Sequence, residues 1–312
     1  MRIGNLIIFE DNVKKLSKLI SGYNSTEEKI ENKEVEGDVS VGQDLYASTR
    51  IGKERENQED AVVIMKHAAN KRYKMLVVAD GVGGNEDGEK ASHIAVTEIR
   101  EWFNSLKISD FSNEALLESK LKYELNCINR KICGLERGAA TTFVCALVGK
   151  NNTIIANVGD SRAYTVNGDG LKQISMDDSA AKIYYEHGLI ENWEDARFHI
   201  MGNQITACLG QNEPVKPNTK IIPNSDYDAI LLFSDGVTDC LSDNQIYAIT
   251  RETNHKELAK TIVNRAINTD SRRPRRGNKS DEAYYDVIRG GKDNTTAAVV
   301  INKTKGRRNS ER

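Results

Sequence analysis

Eight segments of the chain carry apolar runs of strand length: residues 45–50, 61–65, 74–79, 141–148, 153–158, 162–166, 229–234 and 295–301. Three others repeat their apolar positions at helical spacing. Residues 87–106 set Ala91, Ile94, Ala95, Ile99, Trp102, Phe103 and Leu106 on one broad face. Residues 114–133 do so with Leu117, Leu121, Leu125, Ile128 and Ile132, and residues 255–268 with Leu258, Ile262, Val263 and Ala266. The two long helices are consecutive, and strands then follow at short-turn distance. That order predicts an α+β fold with antiparallel strands, because a parallel sheet needs strand and helix to alternate.

The flanks read differently. Residues 11–21 predict a short amphipathic helix, with Val13, Leu16, Leu19 and Ile20 on one face and Gly22 to stop it. Residues 24–44 are rich in Glu, Lys, Asn and Ser and read as a flexible linker. Residues 1–44 are therefore expected to be an N-terminal extension, packed on the core or docked on a partner. Residues 45–302 form the main domain. Two segments look inserted into it: 177–207, polar and helical, and 270–292, basic and loop-like. The tail 303–312 is basic and is expected to be disordered.

With 38% apolar and 29% charged residues, the 312-residue chain reads as a soluble globular protein. Its net charge of −2 gives no overall pull toward nucleic acid or an anionic membrane. No stretch approaches the ~20 apolar residues of a membrane span. The patch Leu6 to Phe9 is too short, and too soon followed by Glu10 and Asp11, to be a secretory signal. Five cysteines, an odd number without a Cys-x-x-Cys pair, read as reduced thiols. A cytoplasmic location follows as the expectation.

The candidate chemistry lies where apolar runs meet aspartates. The runs 75–79, 153–158 and 229–233 lead into Asp80, Asp160 and Asp235, and Asp293 leads into 295–301. A carboxylate at a strand mouth costs free energy unless it is paired or binds a cation. Four of them suggest a shared set of hard oxygen ligands for Mg²⁺ or Mn²⁺. Gly81, directly after Asp80, leaves its carbonyl uncrowded for the same purpose. Upstream, Arg55 stands four residues before Glu59 and Asp60. Arg suits bidentate phosphate recognition, and the two acids can hold metal ions or their waters. A hydroxide bridging two divalent ions would be the nucleophile for in-line attack at phosphorus.

These residues fall into six ordered motifs: Arg55-x-x-x-Glu59-Asp60, Val78-Ala-Asp80-Gly81-Val-Gly-Gly84, Gly138-x-x-Thr141-Thr142, Val158-Gly-Asp160-Ser161-Arg162, Ser234-Asp235-Gly236-x-x-Asp239 and Asp293-Asn294-x-Thr296. In order and spacing the set resembles the metal-dependent Ser/Thr protein phosphatases of the 2C class. The segment from Glu194 to Gly210 is similar to the flap of the bacterial branch. The resemblance implies an α-β-β-α sandwich of two antiparallel sheets flanked by helices. It implies that Asp80 bridges two metal ions, that Asp235 and Asp293 complete one site, and that Glu59 and the Gly81 carbonyl face the other. Asp60 would act through water, Arg55 would bind the substrate phosphate, and Asp160 would hold a third ion. Two departures stand out. Some relatives have His directly after Asp-Gly, where this chain has Val82. Bacterial relatives have Asp-His-Ser at the start of the flap, where this chain has Asp177-Asp178-Ser179.

Plainer readings stand beside these. Asp160 could simply pair with Arg162, Asp239 could be structural, and the arginines at 272, 273, 275 and 276 could form a solvated loop. His67 and His255 read as solvent-facing and His93 as structural. His187 and His199, in the flap, read as surface or packing residues. The expected substrates are phosphoproteins, with a Ser/Thr kinase as the counterpart and a monomeric enzyme. A catalytically silent binding module of the same fold is the alternative, although such relatives usually lose metal carboxylates that this chain retains.

Overall fold

The computed structural model describes residues 6–8, 37–82, 86–135, 138–191, 193, 204–274, 285–288 and 290–302. Two sheets stack face to face. One contains β1 (Leu6–Ile8), β4 (Asp60–Lys66), β5 (Lys74–Val82), β7 (Phe143–Val148), β8 (Asn152–Val158) and β11 (Asn218–Pro223), in that order, with the two-residue β6 (Ala140–Thr141) beside the end of β5. The other runs β10 (Gly170–Gln173), β9 (Arg162–Asn167), β12 (Ala229–Phe233), β15 (Thr295–Ile301), β3 (Leu45–Arg50), β2 (Gly37–Val41). β1 pairs parallel with β4, and the other pairings among the described strands are antiparallel.

Period-two alternation explains the layering. Along β4 and β5, Val62, Ile64, Leu76 and Val78 face the space between the sheets. Ala61, Val63, Met65, Met75, Val77 and Ala79 face the opposite way, onto helices α1 (Glu86–Ser105) and α2 (Glu114–Cys133). β15 divides likewise, with Ala298 and Val300 inward and Ala297, Val299 and Ile301 toward helices α5 (Asp243–Glu252) and α6 (Leu258–Ile267). The order is helix, sheet, sheet, helix, as the resemblance implied. Strands covered on both faces need apolar residues at every position, which is why their runs were legible. Two further α-helices among the described residues are short: α3 (Ala180–Glu186) at the flap and α4 (Asp235–Thr238) directly after β12.

Several expectations are corrected. The linker read into 24–44 ends in a strand: β2 pairs with β3 and buries Val39 and Val41 at alternate positions. Leu6 to Ile8, read as a mere apolar patch, pairs with β4. The 270–292 segment is not all loop, since β13 (Ser271–Pro274) and β14 (Tyr285–Ile288) pair as a hairpin. His67 is not solvent-facing. It is 2% exposed, its Nε2 lies 3.0 Å from the Leu106 carbonyl, and its ring meets Phe103 and Phe111 edge-on. The expected helix at 11–21, the tail 303–312, His199 and the flap stretch 194–203 lie outside the described residues.

Candidate active site

Every strand that carries a candidate acid brings it to the same pole of the sandwich. Antiparallel pairing of β4 with β5 sets Asp60 directly opposite Asp80. Asp235 follows β12 and Asp293 precedes β15, its antiparallel neighbour. Asp160 follows β8, at the end where β7 begins. Residues far apart in the chain thus meet because hairpin topology returns strand ends to one place.

Two glycines make the approach possible. A Cβ on Gly236 would lie 2.1 Å from the Asn294 carbonyl oxygen, so only glycine lets Asp235 sit against the 293–294 strand start. A Cβ on Gly81 would lie 2.4 Å from the Gly88 carbonyl oxygen and 2.9 Å from that of Glu59. Gly81 N–H donates to the Glu59 carbonyl (3.1 Å), which locks Asp80-Gly81 to the loop carrying Glu59. The sequence pointed to the carbonyl of Gly81 alone; the close approach of neighbouring backbones at both glycines is a further constraint that the fold reveals. Gly236→Ala is expected to cost about 2–4 kcal/mol of stability by overpacking and to remove most activity. Thermal unfolding and phosphopeptide turnover measure the two losses.

Asn294 holds the site together. It is 2% exposed. Its Nδ2 donates to the carbonyls of Ile51 (2.8 Å) and Asn57 (3.0 Å), and its Oδ1 accepts from Glu59 N–H (2.8 Å). That one amide ties both ends of the 51–59 loop, which carries Arg55, to the start of β15. Asn294→Ala leaves two buried backbone groups and one part-buried one without this partner, the buried ones each worth about 1–3 kcal/mol. The expected outcome is a raised KM together with a lowered Tm, measured by steady-state kinetics and calorimetry. Thr142 does similar work for Asp80. Its Oγ1 accepts from Asp80 N–H (3.0 Å), its N–H donates to the Asp80 carbonyl (2.8 Å), and the Thr141 hydroxyl donates to the same carbonyl (2.9 Å). The double threonine marked a motif in the sequence; its function as a backbone clamp appears only in the fold.

The electrostatics are those of crowded carboxylates. Burial first, and then Asp60, Asp235, Asp293 and Asp160, push the Asp80 carboxyl well above the usual range. Asp235 is raised well above it too, by burial and then by Asp293, Asp239, Asp160 and Asp60. Asp60 is raised to about 7, chiefly by burial, and its Oδ2 accepts from the Ser234 hydroxyl (2.8 Å). Asp160 is raised to about 7 by burial and then by Asp177 and Asp239. Burial also raises Glu59. The cation among them is Arg55. It pairs with Asp293 at 2.7 Å and lies 3.5 Å from Glu59. Its own pKa rises, mainly through the hydrogen bond to Asp293.

The donor set suits hard divalent cations. Every candidate ligand is an oxygen, and Asp60 Oδ1 is buried without a hydrogen-bond partner. Among the described residues, no three or more acidic, His or Cys side chains stand within ligating reach of one common point. Mg²⁺ typically takes only one or two carboxylates and keeps its waters, so pairs of acids with the Gly81 carbonyl match its demand.

Arg162 does not pair with Asp160, as the plainer reading had it. It makes a bidentate buried pair with Asp177, with Nε 2.8 Å and Nη2 2.5 Å from Oδ2. Asp178 accepts from Gly159 N–H (3.1 Å), and Ser179 caps α3. Asp177-Asp178-Ser179 therefore roots the flap to the turn that carries Asp160. His187 is exposed, at the C-terminal cap of α3 with Nδ1 against the Ile183 carbonyl. The cysteines are free; burial pushes Cys145 up to about 12 and Cys240 up to about 11, so neither thiol is activated.

A protein-family model described as "Protein phosphatase 2C" matches residues 51–270, the span from the Arg55 loop to the base of the β13–β14 hairpin. The chain belongs to the protein phosphatase 2C family. That makes it a serine/threonine protein phosphatase, of a family whose chemistry is metal-dependent. It is 30% identical to the protein phosphatase PhpP of Streptococcus pneumoniae over 261 residues, covering 81% of this chain and 94% of that one. It is 30% identical to the serine/threonine phosphatase stp of Listeria welshimeri over 209 residues, covering 65% of this chain and 81% of that one. The crystal structure of the phosphatase Stp1 from Staphylococcus aureus superposes with a TM-score of 0.71 at 29% identity, covering 87% of this chain and 99% of that one. The silent-module reading finds no support in these relatives. Among the described residues, no helix of this phosphatase is long and apolar enough to cross a membrane.

Proposed function

We propose that this phosphatase releases phosphate from phosphoserine and phosphothreonine at the pole where Asp60, Asp80, Asp235 and Asp293 meet. One observation carries the proposal: the carboxyls of Asp60, Asp80 and Asp235, from distant segments, are pushed up by burial and then by neighbouring carboxylates, and the guanidinium of Arg55 stands at their edge, 2.7 Å from Asp293. Asp80, Asp235 and Asp293, with Glu59, Asp60 and the Gly81 carbonyl, would hold two Mn²⁺ or Mg²⁺ ions, and Asp160 would serve a third. When bound, such ions offset the carboxylate charge, polarise the phosphoryl group and make water acidic enough to attack near neutral pH.

The chain's own groups do the rest. Arg55 is 41% exposed at its side chain and presents a planar donor pair to solvent beside the acids. It can trade Asp293 for two oxygens of a phosphate monoester, which orients phosphorus toward them. Asn294 and Gly81 keep that loop in register. Val82 offers no proton to the departing alkoxide, so the proton would come from water at the site, or the alkoxide would leave less assisted. The counterpart in the cell is a Ser/Thr kinase and its targets, and the enzyme acts as a cytoplasmic monomer. PhpP and stp, named as phosphatases, favour this reading.

The test is hydrolysis of a phosphothreonine peptide. Treatment with EDTA is expected to abolish turnover and added Mn²⁺ to restore it. Full turnover in metal-free buffer would contradict the proposal.

A further inference from the structure

Behind Asp80 and Gly81 stands a layer of contacts in which no group reaches the substrate. Antiparallel pairing sets Thr141 opposite Gly81 and Ala140 opposite Val82, so β6 backs the residues that carry a candidate carboxyl and a candidate carbonyl. β6 is two residues long, too short to fix its own place through that pairing. Its other edge is closed by the stretch directly after the flap. Leu209 N–H donates to the Thr141 carbonyl and Thr141 N–H to the Leu209 carbonyl, each at 2.9 Å. Both residues are fully buried. Gly210 permits the approach: its φ is +107°, and a Cβ there would collide with the Ala139 carbonyl oxygen.

One side chain of helix α2 holds that stretch in place. Asn129 is 2% exposed. Its Oδ1 accepts from Gly210 N–H (2.7 Å), and its Nδ2 donates to the carbonyls of Gln211 (3.0 Å) and Glu213 (3.3 Å). Residues 211–215 belong to no helix or strand, so these side-chain bonds stand in for ladder partners. Asn126, one turn earlier on α2, donates to the Val215 carbonyl (3.1 Å), further along the stretch from Leu209. The contacts therefore run without a break from Asn129 through Gly210 and Leu209 to Thr141. From there the Thr141 hydroxyl donates to the Asp80 carbonyl at 2.9 Å.

We propose that Asn129 is a positioning residue for metal binding. By fixing Gly210 and Leu209 it presses Thr141 against Asp80-Gly81, and so holds the Asp80 carboxyl and the Gly81 carbonyl where a divalent ion needs them. Asn129 itself touches neither ion nor substrate. The inference rests on the assignment of Asp80 and Gly81 as metal holders. Arg55 lies outside this relay, because Asn294 ties its loop down separately. Phosphate recognition therefore does not depend on Asn129.

Isothermal titration calorimetry of Mn²⁺ into the full chain tests this. Asn129→Ala is expected to weaken Mn²⁺ binding by about tenfold, as loss of a group that orients a ligand does. The KM for a phosphothreonine peptide at saturating Mn²⁺ is expected to stay within about twofold. Asn126→Ala, which loosens the same stretch beyond the Asn129 contacts, is expected to lower Tm and leave Mn²⁺ binding unchanged. A further measurement needs no substitution. Coupling between sites is reciprocal, so Mn²⁺ is expected to slow amide hydrogen exchange at Leu209 and Gly210 in the wild-type chain. Unchanged Mn²⁺ affinity in Asn129→Ala, an equal loss in both variants, or exchange at Leu209 and Gly210 indifferent to Mn²⁺ would each overturn the proposal alone. A wild-type chain that binds no Mn²⁺ would overturn the assignment of the metal holders with it.

Discussion

Asp80→Asn and Asp235→Asn each lower phosphopeptide hydrolysis by about three orders of magnitude or more, while the protein stays folded and, without metal, becomes more stable. The loss follows from charge. An amide keeps the shape of the carboxyl but cannot neutralise a divalent ion, and each position is crowded by the other acids. The gain in stability follows from the same crowding. Burial and neighbouring acids raise both carboxyls well above the usual range, so ionising them in the fold costs free energy that an amide avoids. Turnover assays with a Mn²⁺ titration and thermal unfolding in EDTA measure both effects. Wild-type rates in either variant would remove these acids from the mechanism. A large fall in Tm without metal would show that they are structural.

Metal-free protein loses stability as pH rises from about 4 to 7. Asp60 and Asp160 are each raised to about 7 by burial, whereas in the unfolded chain they titrate near 4. Between those values each of these two groups holds more proton in the folded state than in the unfolded state, so their contribution to stability falls with rising pH and levels off above about 7. A shift of that size at one group corresponds to a few kcal/mol, on the order of 1.4 kcal/mol per pH unit. Mn²⁺ favours the ionised carboxyls, so its stabilisation grows over the same interval, and the fall flattens when it is present. Denaturant unfolding from pH 4.5 to 8, with and without Mn²⁺, checks this. A metal-free stability that rises through that interval would contradict it.

The parts of the fold legible in the sequence were those buried on both faces. β4, β5, β7, β12 and β15 need apolar residues throughout and announced themselves as runs. β2, β10 and β11 lie toward sheet edges and escaped notice. β11 exposes Lys220 and Ile221 and buries Ile222, which makes no clean period, and β10 has no buried residue. Helix α5 was missed although Ser242 and Gln245 form a capping box, a spacing the sequence displays. For the site, the acids at strand mouths were visible because an aspartate ending an apolar run is costly. The clamps were not: Asn294 holding three backbone groups and Thr142 holding Asp80 are contacts between residues 62 or more apart. The Arg162–Asp177 pair, 15 residues apart, was hidden because Asp160 lies nearer in the sequence and looked the more natural partner.

The most direct test of the whole account is an anomalous difference map from crystals of this phosphatase grown with Mn²⁺. It is expected to show two peaks about 4 Å apart, with Asp80 between them, Asp235 and Asp293 on one, and the Gly81 carbonyl on the side of the other. Fully occupied Mn²⁺ found only elsewhere on the protein, with the carboxyls of Asp80, Asp235 and Asp293 turned away from one another, would contradict it.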